Sequence, residues 1–127
     1  MSTWLINFRP QAAQAIRDGT RRQLIRAHRA DGKRIELGDT VKLFTGLRTR
    51  GVQLLREATV TGAFSIRIDL AAGDVVIDGT RLDPYQRTDF AMADGFEHWP
   101  AMQAWLKAEN PNCGGVFEGY LITWGTP

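Results

Sequence analysis

Strict alternation of apolar and polar side chains between positions 64 and 70 is the feature that most limits how this chain folds. Positions 64, 66, 68 and 70 are Phe, Ile, Ile and Leu, and the positions between them are Ser, Arg and Asp. Successive side chains of a β-strand point to opposite faces, so this pattern predicts a strand with one buried face. A chain built around such a strand needs a sheet and a core beneath it.

Short strand patterns recur along the rest of the chain. Further strands are predicted over 4–8, 22–27, 40–44, 57–60, 75–77 and 116–124. Three short helices are predicted between them: one from Pro10 to Gly19, one from a cap at Thr88 or Asp89 to Gly95, and one from Pro100 to Asn110. This order predicts an α+β fold in a single domain over 1–127, with a strongly curved sheet or small barrel and helices packed outside it.

The four tryptophans fall on different patterns. Trp4, Trp105 and Trp124 lie on apolar stripes and are predicted to be in the core, whereas Trp99, between a histidine and a proline, is predicted to be partly exposed.

Charge is distributed unevenly along the chain, although the formal net charge is only +2. Up to Arg56 there are 12 Lys and Arg against 4 Asp and Glu, and beyond it there are 4 against 10. With 43% hydrophobic residues in 127, the chain is a folded domain rather than a disordered tail. The asymmetry predicts that one face of the fold meets a polyanion.

Several functional classes are not expected from the residues present. The single Cys113, with His28 and His98, lacks the paired spacings of a structural zinc site, so neither a metal nor another cofactor is expected. The apolar run at the N-terminus is too short for a signal peptide, and no stretch approaches the ~20 apolar residues of a membrane span. We therefore expect a cytoplasmic protein with no membrane partner.

Four blocks of the sequence resemble one known family. Segment 19–26 reads Gly-Thr-Arg-Arg-Gln-Leu-Ile-Arg and resembles the signature Gly-any-Lys-any-any-Thr-any-Arg of the ASCH domain family, in the PUA-like superfamily. Segments 37–49, 93–96 and 117–124 are similar to the later blocks of that family, in the same order. The resemblance implies a PUA-like β-barrel with short flanking helices. It also implies a role with RNA: RNA binding, removal of the acetyl group of N4-acetylcytidine, or RNA cleavage.

The residues in the signature depart from those that the deacetylating members use. In those enzymes the resemblance implies a Lys base, a Thr nucleophile and a later carboxylate acid. Arg21 stands at the Lys position and Leu24 at the Thr position, whereas Arg26 is retained and Asp94 falls near the carboxylate position. Arginine has a pKa above ~12 and does not act as a general base, and leucine has no nucleophilic atom. The sequence therefore predicts that amidohydrolysis by this route is lost.

A basic pocket is the alternative that the same residues predict. Arg22 and Arg26 flank Leu24 on one strand face, and Arg48 and Arg50 lie on a loop bounded by glycines. Guanidinium groups bind phosphates, and an apolar floor beside Phe44 or Trp99 accepts a flat base. The predicted binding residues are Arg21, Arg22, Leu24, Arg26, Phe44, Thr45, Arg48 and Arg50. The first hypothesis is thus binding of RNA or a modified nucleotide.

Two other hypotheses stay open at this stage, as does the oligomeric state. One is an enzyme, either a ribonuclease or an amidohydrolase that uses a different nucleophile. Asp94 or a histidine would be its acid or base, and Thr45 and Thr49 are candidate hydroxyl nucleophiles. Asp94 also suits the end of a helix before Gly95, and loop threonines commonly bond the local backbone. The third hypothesis is an accessory domain that binds another protein.

Overall fold

The computed structural model describes residues 1–125 and has a mixed α+β fold, as predicted. Its strands are β1 (Thr3–Phe8), β2 (Gln23–Ala27), β3 (Thr40–Thr45), β4 (Gln53–Asp69), β5 (Asp74–Ile77), β6 (Thr80–Arg81) and β7 (Val116–Trp124). Its helices are α1 (Ala13–Asp18), preceded by a 3₁₀ turn over Pro10–Ala12, then α2 (Pro84–Ala93) and α3 (Trp99–Glu109).

The chain divides into two compact units, neither of which is one continuous segment. Unit 1 comprises Met1–Gln23, Ile35–Ala63 and the C-terminal segment that starts at Ile122. Unit 2 comprises Leu24–Arg34 and Phe64–Leu121. The prediction of a single domain stays a prediction.

In unit 1, β1 runs parallel to β3, and β3 runs antiparallel to the first part of β4. The buried side chains of β3 are Val41, Leu43 and Thr45, which alternate with half-buried ones as a sheet requires. Around them the unit buries the apolar residues Ile6, Phe8, Ile16, Ile35, Ala58, Val60, Ile122 and Trp124. This core supports both chain segments that follow β1 and β3.

Asp39 holds the N-terminal residues of unit 1 in place through hydrogen bonds. Its carboxylate is buried and accepts hydrogen bonds from the backbone N–H of Ser2 (3.0 Å) and Glu36 (3.0 Å) and from the indole N–H of Trp4 (2.9 Å). These donors favour the ionised form and hold the pKa of Asp39 below its usual value, the Ser2 N–H most strongly.

In unit 2, the end of β4 pairs with β5, and β5 turns back into β6. Asp78 (φ 51°) and Gly79 (φ 81°) form that turn, and positive φ at both central residues is the geometry that a two-residue hairpin prefers. One apolar cluster fills the unit: Ile66, Ile68, Leu70, Val75, Phe90, Ala91, Trp99, Met102, Leu106, Phe117 and Leu121. Both α2 and α3 pack residues into it.

The cap of α2 is Asp83, five residues before Thr88 and six before Asp89, the two predicted positions. Asp83 accepts from the Gln86 N–H (2.8 Å), and the Gln86 side chain accepts from the Asp83 N–H (2.9 Å), so the two form a capping box. Pro84 at the first helical position strengthens that start. The prediction was wrong because Thr88 and Asp89 are also residue types that favour an N-cap, but only Asp83 has a Gln three residues later to complete the box.

Two further predictions need correction. The strands predicted separately at 57–60 and 64–70 are parts of one strand, β4. Its first part pairs with β3 and its end pairs with β5. Trp99 is buried (7% exposed) and Trp105 is 40% exposed, the reverse of the prediction. Trp99 lies on the face of α3 that carries Met102 and Leu106, whereas Trp105 lies beside that face and contacts Phe96.

Candidate nucleic-acid interface

The ends of two parallel strands define one edge of unit 1. Phe8, the last residue of β1, is in register with Thr45, the last residue of β3. The buried Thr45 hydroxyl donates to the Phe8 carbonyl oxygen (2.9 Å), which ties the two strand ends together. Parallel strands direct their following segments to the same edge of a sheet, so the turn before α1 and the loop after β3 start side by side.

The loop over residues 46–51, here called the arginine loop, is closed by its own hydrogen bonds. The Leu47 N–H donates to the Asn7 side-chain oxygen (2.9 Å), which anchors the loop to β1. The Thr49 N–H and hydroxyl both donate to the Gly46 carbonyl (3.0 and 2.6 Å), and the Thr49 hydroxyl oxygen accepts from the Gly51 N–H (3.2 Å). The Thr49 hydroxyl is therefore used by the local backbone.

Arg48 and Arg50 extend from this closed loop into solvent. Arg48 has φ 69°, a left-handed conformation that costs an L-residue about 1–2 kcal/mol, and it is the third residue of the turn closed by the bond from Thr49 to Gly46. Both side chains are exposed, and within residues 1–125 neither has a hydrogen bond or ion pair. Their guanidinium groups are free to contact an anion.

Arg21 lies on the aromatic pair at the end of β1. Its guanidinium carbon is 5.1 Å from the centre of the Phe8 ring, within cation–π distance, and its Nε donates to the Gln23 carbonyl (3.3 Å). Phe8 packs edge-on against Trp124 at 6.3 Å between ring centres. Since Phe8 is only 5% exposed, the pair orients Arg21 and offers no open surface for stacking a base.

Three more arginines of unit 1 surround the C-terminal end of α1. Arg22 Nε donates to the Gly19 carbonyl (2.6 Å), and Arg56 donates through Nε to the Ile16 carbonyl (3.1 Å) and through Nη2 to the Arg17 carbonyl (2.8 Å). The Arg17 side chain donates to Gln53 (2.5 Å). Arg17 and Arg56 were not among the predicted binding residues, and the long-range contact of Arg56, on β4, has no signal in the sequence.

The predicted residues are divided between the two units. Arg21, Arg22, Phe44, Thr45, Arg48 and Arg50 belong to unit 1, whereas Leu24, Arg26 and Asp94 belong to unit 2. In unit 1, Phe44 is half-buried on β3, directly before the buried Thr45. The structure therefore brings the predicted residues of unit 1 together near three features: the end of β1, the arginine loop and the end of α1.

In unit 2, Leu24 and Arg26 are half-buried on β2. Gly119 on β7 runs so close to this strand that a Cβ at that position would overlap the Arg26 carbonyl oxygen. Asp94 is buried, and its backbone N–H donates to the carbonyls of Phe90 and Ala91 (both 3.2 Å). It is the C-cap of α2 before Gly95, which is the structural one of its two predicted roles.

The candidate acid–base residues of unit 2 have structural contacts. His98 Nδ1 accepts from the Ala101 N–H (3.1 Å) and is the N-cap of α3. The His28 ring lies 6.0 Å from the ring of the buried Tyr120. Within residues 1–125, no three or more His, Cys, Asp or Glu side chains gather as a metal site would require, and no helix is long and apolar enough to cross a membrane.

No family model, curated protein or solved structure matches this chain. The ASCH resemblance therefore stays a prediction.

Proposed function

We propose that this protein binds RNA, or a modified nucleotide, through the arginines of unit 1, with the PUA-like barrel as the fold that the ASCH resemblance implies. The observation that carries this proposal is the arginine loop. It holds Arg48 in a strained backbone conformation, yet the guanidinium of Arg48 contributes no bond to the described part of the fold, residues 1–125. The turn requires this backbone conformation but not an arginine side chain, and strained residues cluster at binding sites.

The charge and chemistry of the surrounding residues support a phosphate-bearing ligand. Arg21 and Arg22, with Arg48 and Arg50, present four guanidinium groups in one unit, and Arg22 and both loop arginines are exposed. Guanidinium groups form paired, charge-assisted hydrogen bonds with phosphate oxygens. Because such contacts release counterions from a nucleic acid, the affinity should fall steeply with salt.

The test is fluorescence anisotropy with a labelled single-stranded RNA over a range of salt concentrations. Arg48→Gln and Arg50→Gln should each weaken binding several-fold at low salt and reduce the slope of log K against log salt by about one. Arg81→Gln is the matched control, because it removes the same charge from unit 2, where Arg81 already pairs with Asp74 (2.7 Å). That control should bind as the wild type does.

Two results would reject the proposal. One is the absence of measurable RNA binding by the wild type at low salt. The other is an equal loss in the Arg48→Gln and Arg81→Gln variants, since that would reflect net charge rather than a defined surface. A DNA oligonucleotide of the same sequence, run in parallel, reports whether the 2′-hydroxyl contributes to binding.

A further inference from the structure

Two arginines of unit 1 border one small space beside Gly19. A Cβ at Gly19 would lie 3.4 Å from Arg56 Nη2 and 3.7 Å from Arg22 Nη2. Gly19 has φ 79°, in the left-handed region that favours glycine, and it ends α1 as its C-cap. The glycine is thus required by its backbone conformation, and both guanidinium groups lie within contact distance of the position that a side chain would occupy.

The capping contacts explain where these guanidinium groups are held, but they use only part of their hydrogen-bonding capacity. A guanidinium has five N–H donors, whereas Arg22 donates to one backbone carbonyl and Arg56 to two. The partial negative charge and unpaired carbonyls of a helix C-terminus account for these contacts. They leave the remaining N–H donors of both guanidinium groups, whose Nη2 atoms lie near Gly19, without a partner among residues 1–125.

Neither arginine has a carboxylate partner in the part of the chain that the structure describes. Within residues 1–125, no Asp or Glu forms an ion pair with Arg22 or Arg56. Asp18 is the nearest carboxylate along the chain, and it accepts from the N–H (3.0 Å) and the hydroxyl (2.8 Å) of Thr20. The Thr20 N–H lowers the pKa of Asp18 most, and the charge of Arg56 lowers it least. The site thus has an excess of positive charge, with free donors on both sides.

From this geometry we infer that Arg22 and Arg56 bind a phosphomonoester, the terminal phosphate of an RNA chain. A phosphomonoester carries close to two negative charges at neutral pH, matching the two guanidinium groups, whereas each internal phosphodiester carries one. Its three terminal oxygens also allow both arginines to bind at once, each through a separate oxygen. Because this site is on the surface proposed to bind RNA, the inference rests on that proposed function.

The experiment compares one RNA sequence in three forms, with a 5′-phosphate, with a 3′-phosphate, or with hydroxyl groups at both ends. The wild type should bind one phosphorylated form about tenfold more tightly than the hydroxyl form, as expected for added charge-assisted hydrogen bonds. Which form is preferred identifies the terminus. Arg22→Gln should remove this preference, and its exposed side chain makes loss of folding a small risk.

Arg48→Gln is the matched variant for this comparison. It removes one charge from the same unit, so it should weaken binding of all three RNAs while the preference for the terminal phosphate remains about tenfold. Arg56→Lys is a second variant, which keeps the charge but loses the planar fork, and it should reduce the preference. Thermal denaturation of each variant confirms that it is folded.

The outcomes separate this inference from the proposed function. Equal binding of all three RNAs by the wild type, or a preference that persists in Arg22→Gln, overturns the phosphate site and leaves RNA binding intact. If the wild type binds none of the RNAs, the proposed function fails. Titration with inorganic phosphate then tests whether Arg22 and Arg56 form a phosphate site. Saturable NMR shifts at Arg22 Nε–H, absent with chloride at equal ionic strength, then support it, and their absence overturns it.

Discussion

Replacing Arg48 by glycine should make the protein more stable, contrary to the usual effect of glycine in a loop. The residue has φ 69°, and release from the left-handed region gains about 1–2 kcal/mol. The greater conformational freedom of glycine in the unfolded chain offsets about 0.4–1 kcal/mol of that gain. The Arg48 side chain has no bonded partner within residues 1–125, so no contact is lost. The net expectation is a gain of about 0.5–1 kcal/mol, or about 2–5 °C in Tm.

Arg48→Ala is the control that isolates the backbone effect, since alanine also removes the guanidinium but keeps a Cβ. Its stability should stay within about 0.5 kcal/mol of the wild type. Urea denaturation followed by circular dichroism gives the free energy of unfolding of all three proteins. At an ordinary loop position alanine is the more stable of the two variants, so finding Arg48→Ala more stable than Arg48→Gly would refute the reasoning. Both variants lack the guanidinium and should therefore bind RNA less tightly than the wild type.

Three other substitutions test the fold. Gly119→Ala should lower the free energy of unfolding by more than about 3 kcal/mol or prevent folding, because the new Cβ overlaps the Arg26 carbonyl oxygen; thermal denaturation measures this. Asp39→Asn should cost about 2 kcal/mol at pH 7, because charge-assisted hydrogen bonds are weakened. The folded-state pKa of Asp39 lies below its ordinary value of 3.8, so its stabilisation is present above that value and is lost as the pH falls through the folded pKa. Urea denaturation at a series of pH values should therefore show a smaller acid loss in Asp39→Asn. Asp83→Ala should cost about 1 kcal/mol, through loss of the capping box with Gln86, in the same denaturation assay.

Each of these substitutions has an outcome that would contradict it. A normally stable Gly119→Ala protein would show that β2 and β7 do not approach closely, and Gly51→Ala is its control, since that Cβ meets only Thr49 Oγ1 at 3.8 Å. An unchanged acid profile in Asp39→Asn would exclude Asp39 as a source of the acid sensitivity. A loss in Asp89→Ala as large as in Asp83→Ala would contradict the assignment of the cap, since Asp89 is exposed within the same helix.

The strands and their turns were the most predictable part of the molecule. β7 was predicted at its observed bounds, and the Gly19 cap and the Asp78–Gly79 turn lie where the sequence placed them. These features depend on alternation over a few residues and on the backbone freedom of glycine, both of which are local. The cap of α2 was equally local, but Thr88 and Asp89 are also suitable cap residues, and the box formed by Asp83 and Gln86 was missed.

The candidate site was predictable only in part. The arginine loop was predicted from its two bounding glycines, but the hydrogen bond that anchors it to β1, from Leu47 to the Asn7 side chain, spans 40 positions. Arg56 was missed because its contact with the Ile16 carbonyl also spans 40 positions. Whether such distant residues meet is set by strand pairing, which a single sequence does not specify.

By itself, the sequence determined the secondary structure class, the uneven charge and the arginines available to bind an anion, because each follows from residue type and short-range spacing. Only the tertiary structure decided which arginines are structural and which are free. The parallel register of Phe8 with Thr45 brings the arginine loop beside the turn that leads into α1, and β4 carries Arg56 to the carbonyls of that helix. Burial also distinguished Trp99 from Trp105, because only packing against the core selects which face of α3 is covered. The physical reason is common to all of these: contacts between distant segments depend on the complete fold, whereas propensity depends on neighbours.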